Sequence, residues 1–252
     1  MKIGFLITAR LKSTRLPNKL ILKIFDREII RWMIDRLKLS NELDVIVLCT
    51  SNNSQDNELI EIAKQENIFA YRGSEEDVIE RLYEAAIFFK LDYVVNVTAD
   101  CPLTSIEYIR RIVETYKQTN ADLVRCLDLP YGLFSYGIKI DALKKICEIK
   151  NSKHTEVWGR YFTDTGIFKV VDIVVPKELQ RPKFRLTLDY KEDFEFFNAL
   201  FNHFGEDTFR KDVADIVKYL DEHPEVVEIN NNCIAAFQNN WNSQNNILLK
   251  NE

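Results

Sequence analysis

The 252-residue sequence predicts an α/β fold built on a doubly wound, mostly parallel sheet. Short, nearly uninterrupted apolar segments, typical of strands buried in a parallel sheet, alternate with amphipathic helical segments. Such alternation favours helices on both faces of one sheet, joined by right-handed crossovers. Hydrophobic residues make up 46% of the chain, so a large core can be buried.

The individual elements follow in chain order. Strands are predicted over residues 2–8, 44–50 and 93–97, and helices over 29–39, 56–65, 75–89 and 105–119. Thr104 or Ser105 is the expected N-cap of the last of these helices. Because ligands of doubly wound sheets bind beyond the carboxyl ends of the strands, chemistry is expected just after Ile7, Cys49 and Val97.

The pattern of elements also suggests how the chain is divided. One domain is predicted over residues 1–230, with a polar extension over 231–252. Within the domain, shorter strands mix with helices at about 126–175, which predicts an inserted lobe, and residues 189–204 and 209–220 then return to helices. The last part of the extension is rich in Asn and Gln and is expected to pack loosely.

Composition and charge exclude several classes of function. A net charge of −5 argues against non-specific nucleic-acid binding. No apolar run approaches the roughly 20 residues that cross a bilayer, and the first residues reach Thr8 and Arg10 too soon for a secretory signal. A cytoplasmic protein without membrane contact is therefore expected. The five cysteines form no C-x-x-C pair, which favours reduced, buried thiols over disulfides or a zinc site.

A basic loop follows the first predicted strand. Arg10, Lys12, Arg15 and Lys19 place four cations within ten residues of an otherwise acidic chain. A triphosphate needs several positive charges together with hydroxyl or backbone donors, and this loop lies where a doubly wound sheet binds ligands. The glycine patterns of P-loop and dinucleotide-binding proteins are absent from the sequence. On spacing alone, a solvated basic loop remains the alternative.

Two aspartates stand where carboxylates commonly bind a metal ion. Asp100 follows the strand predicted over 93–97, and Asp189 follows a short apolar segment, 185–188, that also reads as a strand. Mg²⁺ usually takes one or two carboxylates, with phosphates and water as its other ligands. Asp100 could instead cap the helix over 105–119. Glu192 and Asp193 are expected to favour the N-terminus of the following helix electrostatically.

Several ordered segments resemble a known family. Residues 9–19 (A-R-x-x-S-x-R-L-P-x-K) and 96–102 (N-V-x-x-D-x-P) are similar to motifs of the cytidylyltransferases that activate 3-deoxy-manno-octulosonate. They are closer still to the spore coat polysaccharide biosynthesis type. The segment around Asp189 also resembles a family motif, although Tyr190 stands where Thr is common. The resemblance covers about residues 2–205, with no family signal beyond, and implies a Rossmann-like, GT-A-like nucleotidyltransferase fold.

The resemblance implies roles for the loop and the carboxylates. In the family the basic loop wraps the CTP triphosphate, and the roles carry over here to Ala9, Arg10, Ser13, Arg15 and Lys19. Mg²⁺ is the implied cofactor, held by the two aspartates after the strands, Asp100 and Asp189. These two residues, with the first arginine and the lysine of the loop, are the implied catalytic set.

The nucleoside and the acceptor have weaker candidates. Thr50 and Ser51 follow the second strand, where hydroxyls can meet a nucleoside. Residues 72–81 resemble the family's R-G-S-x-x-D-V-x-x-R segment, which implies base-side roles for Ser74 and Arg81, although Asp77 could simply pair with Arg81 across a helical turn.

Two further residues are candidates for the acceptor. His154 lies in a segment (K-H-T-E) that matches the family's E-H-V-T imperfectly, and Tyr131 precedes the strand of the lobe. For a lone histidine, a structural role remains the alternative.

The implied reaction is CMP transfer from CTP to a small sugar-like acceptor, with release of pyrophosphate, in surface polysaccharide or glycoconjugate biosynthesis. A 2-keto sugar acid, an amino-sugar acid and a phosphorylated small molecule remain open as acceptors. The resemblance also implies a homodimer paired through the inserted lobe. Trp158, Tyr161 and Phe162 could supply an apolar patch there, or could instead pack into the core.

Three other functions compete with this prediction. A sugar-1-phosphate nucleotidyltransferase using another nucleotide usually has a glycine-rich first loop, but this chain has seven glycines and none between Gly4 and Gly73. A metal-dependent glycosyltransferase often has a D-x-D motif, whereas Asp100 is followed by Cys101 and Pro102. A non-catalytic nucleotide sensor could dispense with both carboxylates, and this sequence has both.

Overall fold

The structure, a computed structural model, describes residues 1–243 and 247–250. Its strands are β1 Ile3–Thr8, β2 Lys23–Ile24, β3 Arg27–Glu28, β4 Val45–Ser51, β5 Phe69–Gly73, β6 Tyr93–Thr98, β7 Leu123–Arg125, β8 Tyr136–Lys139 and β9 Val170–Asp172. Its helices are α1 Ile29–Leu37, α2 Asn57–Gln65, α3 Val78–Phe88, α4 Ile106–Thr119, α5 Ile140–Ile149, α6 Gly159–Thr163, α7 Lys191–Phe204, α8 Val213–Glu222, α9 Pro224–Glu228 and α10 Cys233–Ser243.

The main sheet has the strand order β5-β4-β1-β6-β8-β7-β9. Strands β5, β4, β1 and β6 are parallel to one another, β8 is antiparallel to both β6 and β7, and β7 is parallel to β9. A mostly parallel, doubly wound sheet is therefore confirmed. Since β1 and β6 are adjacent, the segments that follow Thr8 and Thr98 leave the sheet side by side.

Helices cover both faces of the sheet. Alternate residues of β1 point to opposite faces: Phe5 and Ile7 pack with α1, α4 and α7, whereas Leu6 packs with α3, α5 and α6. Burial of apolar side chains on both faces explains why the strands read as continuous hydrophobic runs. None of the described helices has the length and apolar composition to span a bilayer.

Three local predictions are wrong. The edge strand β5 was not expected, because its residues are largely half-exposed and form no apolar run. The helix predicted from residue 75 begins at Val78, since the side chain of Asp77 caps it by accepting from the Glu80 amide. Residues 185–188 are extended but form no strand, because they bond to two separate loops, at Tyr131 and Asp100.

The segment predicted as an inserted lobe contributes to the main sheet. Residues 126–175 supply β8 and β9 to it, and α5 packs on α3. Trp158, Tyr161 and Phe162 are buried in the core rather than forming a surface patch. The division into domains stays a prediction, as does the homodimer.

The C-terminal segment is more firmly attached than its composition suggested. The amide of Asn151 donates to the Leu248 carbonyl at 2.7 Å, and that of Lys250 donates to the Ile149 carbonyl at 2.9 Å. The side chains of Leu248 and Leu249 are 56% and 40% exposed. Hydrogen bonds therefore hold the backbone at residues 248–250 while these side chains stay exposed, and residues 244–246 and 251–252 of the extension lie outside the described residues.

The cysteines are free thiols. Cys49, Cys101, Cys126 and Cys233 are buried, and Cys147 is half-buried. Burial raises the pKa of the Cys147 thiol to about 11. The expectation of reduced cysteines that pack as small apolar residues is therefore confirmed for the four buried ones.

Candidate active site

A cavity of about 520 Å³ opens at the carboxyl ends of β1 and β6. Most of the predicted site residues line it: Ala9, Arg10, Ser13, Arg15, Lys19, Arg81, Asp100, Tyr131 and Asp189. The sheet topology therefore brings together side chains that are up to 180 residues apart in the sequence (positions 9 and 189). Four predicted residues, Thr50, Ser51, Ser74 and His154, are not among the lining residues.

The basic loop is fixed to the sheet by its backbone. The Ala9 amide donates to the Cys49 carbonyl at 3.1 Å, and the Leu11 amide donates to Asp56 Oδ1 at 2.8 Å. Ser51, predicted to meet the nucleoside, instead donates to the buried carboxylate of Asp56. Thr50 is buried beside it in β4. Ser51 therefore acts on the loop through Asp56 rather than by lining the cavity.

Lys19 joins the two predicted metal ligands. Its ammonium lies 2.7 Å from Asp100 Oδ2 and 2.9 Å from Asp189 Oδ1, and Arg15 Nη2 lies 2.6 Å from the same Asp189 oxygen. Burial alone would lower the pKa of Lys19, but the two carboxylates outweigh it and raise this pKa. Burial alone would raise the pKa of Asp189, but Lys19 and Arg15 hold this pKa well below its ordinary range.

The two carboxylates fit a divalent cation that has further ligands of its own. The described residues contain no group of three or more carboxylate, His or Cys side chains placed to hold a metal. Asp100 and Asp189 nevertheless converge on one positive charge, the ammonium of Lys19. Mg²⁺ is usually bound by one or two carboxylates, with phosphates and water completing its coordination.

A buried network holds Asp189 in place. Arg185 donates to Asp189 Oδ2 at 2.9 Å and makes two further bonds to Asp193, whose Oδ2 accepts from the Asp189 amide at 2.8 Å. Asn230 donates to Asp193 at 2.9 Å. Asp193 Oδ2 also accepts from the Tyr190 amide at 3.0 Å, at the start of α7. Charge-assisted bonds of this kind fix the direction of the Asp189 carboxylate.

Arg81 lies at the inner side of the cavity and is fully buried. Its Nη1 donates to the Ser74 carbonyl, while Nε and Nη2 have no hydrogen-bond partner within the described residues. Burial lowers the pKa of Arg81. Its pairing with Asp77 across a helical turn, kept above as an alternative, is not observed, because Asp77 bonds instead to Lys150 and Thr155.

The opposite wall contains Tyr131 but not His154. The His154 side chain is 78% exposed and contacts Glu76 Oε2 at 3.2 Å, at the rim of the cavity. Glu156, two residues later, does line the cavity and pairs with Arg10 at 2.6 Å. The loop predicted to face the acceptor therefore reaches the cavity through Glu156 rather than through the histidine.

Comparison with known proteins decides the family. A family model described as cytidylyltransferase matches residues 5–251. The chain belongs to the cytidylyltransferase family. The match corrects the expectation that family similarity ends near residue 205.

Related chains show the same relationship. An uncharacterized protein of Methanocaldococcus jannaschii is 37% identical over 92% of this cytidylyltransferase and 96% of its own length. The spore coat polysaccharide biosynthesis protein SpsF of Bacillus subtilis is 26% identical, over 88% and 95%. A solved cytidylyltransferase structure from Leptospira borgpetersenii superposes with a TM-score of 0.81 at 28% identity, covering 90% and 97% of the two chains. The protein is thus a nucleotidyltransferase with a Rossmann-like fold.

Sequence reasoning missed some residues of the cytidylyltransferase cavity. Glu156, Trp158 and Phe237 line it without having been assigned a role there. Phe237 belongs to α10, in a segment whose Asn- and Gln-rich composition gave no indication of a site. The family model, which matches up to residue 251, includes α10.

Proposed function

We propose that this cytidylyltransferase transfers CMP from CTP to an oxygen of a small sugar-like acceptor, with Mg²⁺ held by Asp100 and Asp189. The acceptor oxygen forms a bond to the α-phosphorus and loses its proton to solvent. The bond between the α-phosphorus and the bridging oxygen breaks, and pyrophosphate leaves with that electron pair. The observation that carries the proposal is the cluster in which Lys19 bridges both aspartates inside the cavity.

The loop cations suit the triphosphate. Arg10, Arg15 and Lys19 line one cavity, and each is presently paired with a carboxylate, at Glu156, Asp189 or Asp100. Phosphate oxygens are strong acceptors for the same donors, so the triphosphate of CTP would replace the carboxylates as the partner of these cations. The three cations would then neutralise the departing pyrophosphate, and catalysis rests on positioning and charge stabilisation.

Asp100 and Asp189, which converge on the Lys19 ammonium, would hold the metal. Mg²⁺ would supply stabilisation of the charge that develops at the α-phosphate and would lower the pKa of the attacking oxygen. Lys19 is one flexible side chain beside the CTP loop, so its ammonium can move to a phosphate when it leaves the carboxylates. Arg185 and Asp193 keep Asp189 directed at the same point throughout.

Arg81 supports a nucleoside position beside Arg10, because both guanidinium groups donate to the Glu75 carbonyl at 3.4 Å. Its Nε and Nη2 are buried donors without a partner among the described residues, and such donors are costly unless a ligand bonds to them. A base carbonyl or a ribose hydroxyl would satisfy them. Preference for cytosine is part of the proposal and is supported by membership of the cytidylyltransferase family.

The acceptor is proposed by class. A 2-keto sugar acid, an amino-sugar acid and a phosphorylated small molecule all present an oxygen able to attack the α-phosphorus. The similarity to a Bacillus subtilis spore coat polysaccharide biosynthesis protein supports a role in surface polysaccharide or glycoconjugate synthesis.

Thermal unfolding with each of the four nucleoside triphosphates, with and without Mg²⁺, tests the proposal. A ligand that binds the native state raises the midpoint by mass action. We expect the largest shift with CTP plus Mg²⁺. A larger shift with another triphosphate would favour a sugar-1-phosphate nucleotidyltransferase, and no shift with any of the four would refute nucleotide binding.

A further inference from the structure

We propose that α10 completes the acceptor subsite, where Phe237 forms, with Tyr131 and Trp158, an aromatic wall for the uncharged face of a carbohydrate ring. The inference rests on the proposed CMP transfer and deepens it. It assigns a binding role to residues that no motif marks. The three side chains line the cavity.

The aromatic wall is part of a continuous row of rings. The Phe237 ring lies 5.1 Å from that of Tyr131, centroid to centroid. Phe134 and Tyr136 continue the row at 5.4 and 5.6 Å, and Tyr136 lies 5.0 Å from Trp158. Three parts of the chain, α10, the segment that leads into β8 and the loop before α6, are therefore connected by one row of rings, of which Tyr131, Trp158 and Phe237 line the cavity. Such surfaces, with a few polar groups beside them, are typical of small-molecule sites.

The position of Tyr131 in this wall is fixed by its backbone. Its amide donates to the Phe184 carbonyl at 3.1 Å, and its carbonyl accepts from the Leu186 amide at 2.7 Å. The next residue, Gly132, has φ +96°, and a Cβ there would lie 2.0 Å from the Leu186 carbonyl oxygen. Only glycine allows this close approach. The wall therefore presents a preformed surface rather than one that must fold around the ligand.

Phe237 also connects the wall to the metal ligands. The Arg185 guanidinium lies 4.8 Å from the Phe237 ring centroid and bonds on its other side to Asp189 and Asp193. A ring bound against Phe237 would thus be separated from the carboxylate proposed to hold the metal by the side chains of Phe237 and Arg185.

Charge on this wall favours an uncharged ring face. The cations that line the cavity lie on the loop over residues 10–19 and on α3. The charged groups near the wall are already paired, since Glu156 bonds to Arg10 at 2.6 Å and Arg185, 4.8 Å from the Phe237 ring, bonds to Asp189 and Asp193. A sugar ring offers an apolar C–H face to the rings and hydroxyls at its edge, from which the 61% exposed Glu156 carboxylate can accept. With the loop cations assigned to the CTP triphosphate, a phosphate on the acceptor would have to compete with two carboxylates for Arg185, so phosphorylated acceptors are disfavoured.

Pyrophosphate release from CTP and Mg²⁺ tests the inference, with 3-deoxy-manno-octulosonate, N-acetylneuraminate and glucose 1-phosphate as probes. We expect turnover with an unphosphorylated sugar. F237A should raise the KM for that sugar by roughly threefold to tenfold and leave the KM for CTP within about twofold of the wild-type value. F237W should restore the KM for the sugar. The control is F69A, which removes an equally large ring that is 53% exposed on the edge strand β5.

Three results would overturn the inference. The first is a preference of the enzyme for glucose 1-phosphate over the two sugar acids. The second is a KM for the unphosphorylated sugar that F237A leaves unchanged. The third is no turnover with either unphosphorylated sugar while CTP and Mg²⁺ still raise the unfolding midpoint. In each, the CTP-dependent midpoint shift persists, so the proposed function stands. Loss of that shift in the wild-type protein would instead refute the proposed function itself.

Discussion

Two buried lysine–aspartate clusters in this cytidylyltransferase use the same chemistry in different surroundings. In the open cluster, Lys19 bridges Asp100 and Asp189 and all three line the cavity. In the closed cluster, Lys150 pairs with Asp77, which also accepts from the Thr155 hydroxyl at 2.9 Å.

The two clusters differ in what completes them. The closed cluster is satisfied by protein groups alone, since Lys150 also donates to the Ser152 carbonyl at 3.2 Å and Asp77 is 1% exposed. In the open cluster one ammonium serves two carboxylates that face a cavity. Access to ligand, rather than charge, therefore separates the structural ion pair from the one proposed to be functional. Three substitutions test this difference, and a fourth, in a separate ion-pair cluster around Glu66, gives a comparison; they follow in order of expected effect.

Asp100→Asn should have the largest effect because it breaks the open cluster. Loss of a carboxylate at the proposed metal position should lower turnover on the order of 1,000-fold. The fold should survive, because the Asp100 side chain is 19% exposed at the cavity. Pyrophosphate release and circular dichroism measure the two properties. Wild-type-like rates in this variant would remove Asp100 from the metal site.

Lys150→Met breaks the closed cluster. The charge of Asp77 would remain buried without its partner, which should reduce the free energy of unfolding by about 3–5 kcal/mol. Urea denaturation measures the loss. The matched control is Lys145→Met on α5, the helix that Lys150 directly follows; the Lys145 side chain is 53% exposed and its ion pair with Glu148 should contribute less than about 1 kcal/mol. Equal effects of both substitutions would contradict the distinction between the clusters.

Lys19→Met tests whether the open cluster exchanges its cation. Without the ammonium, Asp100 and Asp189 should bind Mn²⁺ roughly tenfold more tightly in the absence of nucleotide. Calorimetric titration of the metal into the nucleotide-free protein measures this affinity and does not depend on turnover. Weaker Mn²⁺ binding in the variant would show that Lys19 organises the carboxylates instead of competing for them.

Glu66→Gln should have the smallest effect, because it perturbs a charge cluster at the rim of the fold. Burial alone would raise the pKa of Glu66, but the bonds from Arg31 and Lys38 outweigh it and lower this pKa. The stabilisation is therefore complete above the unfolded pKa of about 4.3 and is lost as pH falls through the folded value. We expect a loss of about 1 kcal/mol at pH 7 that shrinks towards pH 3. A pH-independent difference in urea midpoints would contradict this assignment.

Local pattern explains which parts of the fold were predictable. Strands β1, β4 and β6 are apolar runs because both of their faces are covered, and α4 begins after the expected cap, Ser105. Strand β5 lies at the sheet edge, where half-exposed side chains remove that signal. The extended segment at 185–188 resembled a strand because it is buried, although its hydrogen bonds go to loops.

The site was predictable where one segment carries a motif. The basic loop and Asp100 are such cases, and both line the cavity. Glu156 and Phe237 are brought to the same cavity by tertiary packing, with no pattern in their own neighbourhoods. Arg185 likewise takes its importance from two carboxylates that only the folded chain places around it.

The late position of Phe237 in the chain has a consequence for synthesis on the ribosome. Residues 9–100, which carry the basic loop and Asp100, are translated well before α10 and before residues 248–250, which pair with 149–151. Because domains fold as units, the cavity is complete only after Asp189 and Phe237 have left the ribosome. On the proposed assignment, a new molecule therefore gains its acceptor wall only when almost the whole chain has been made.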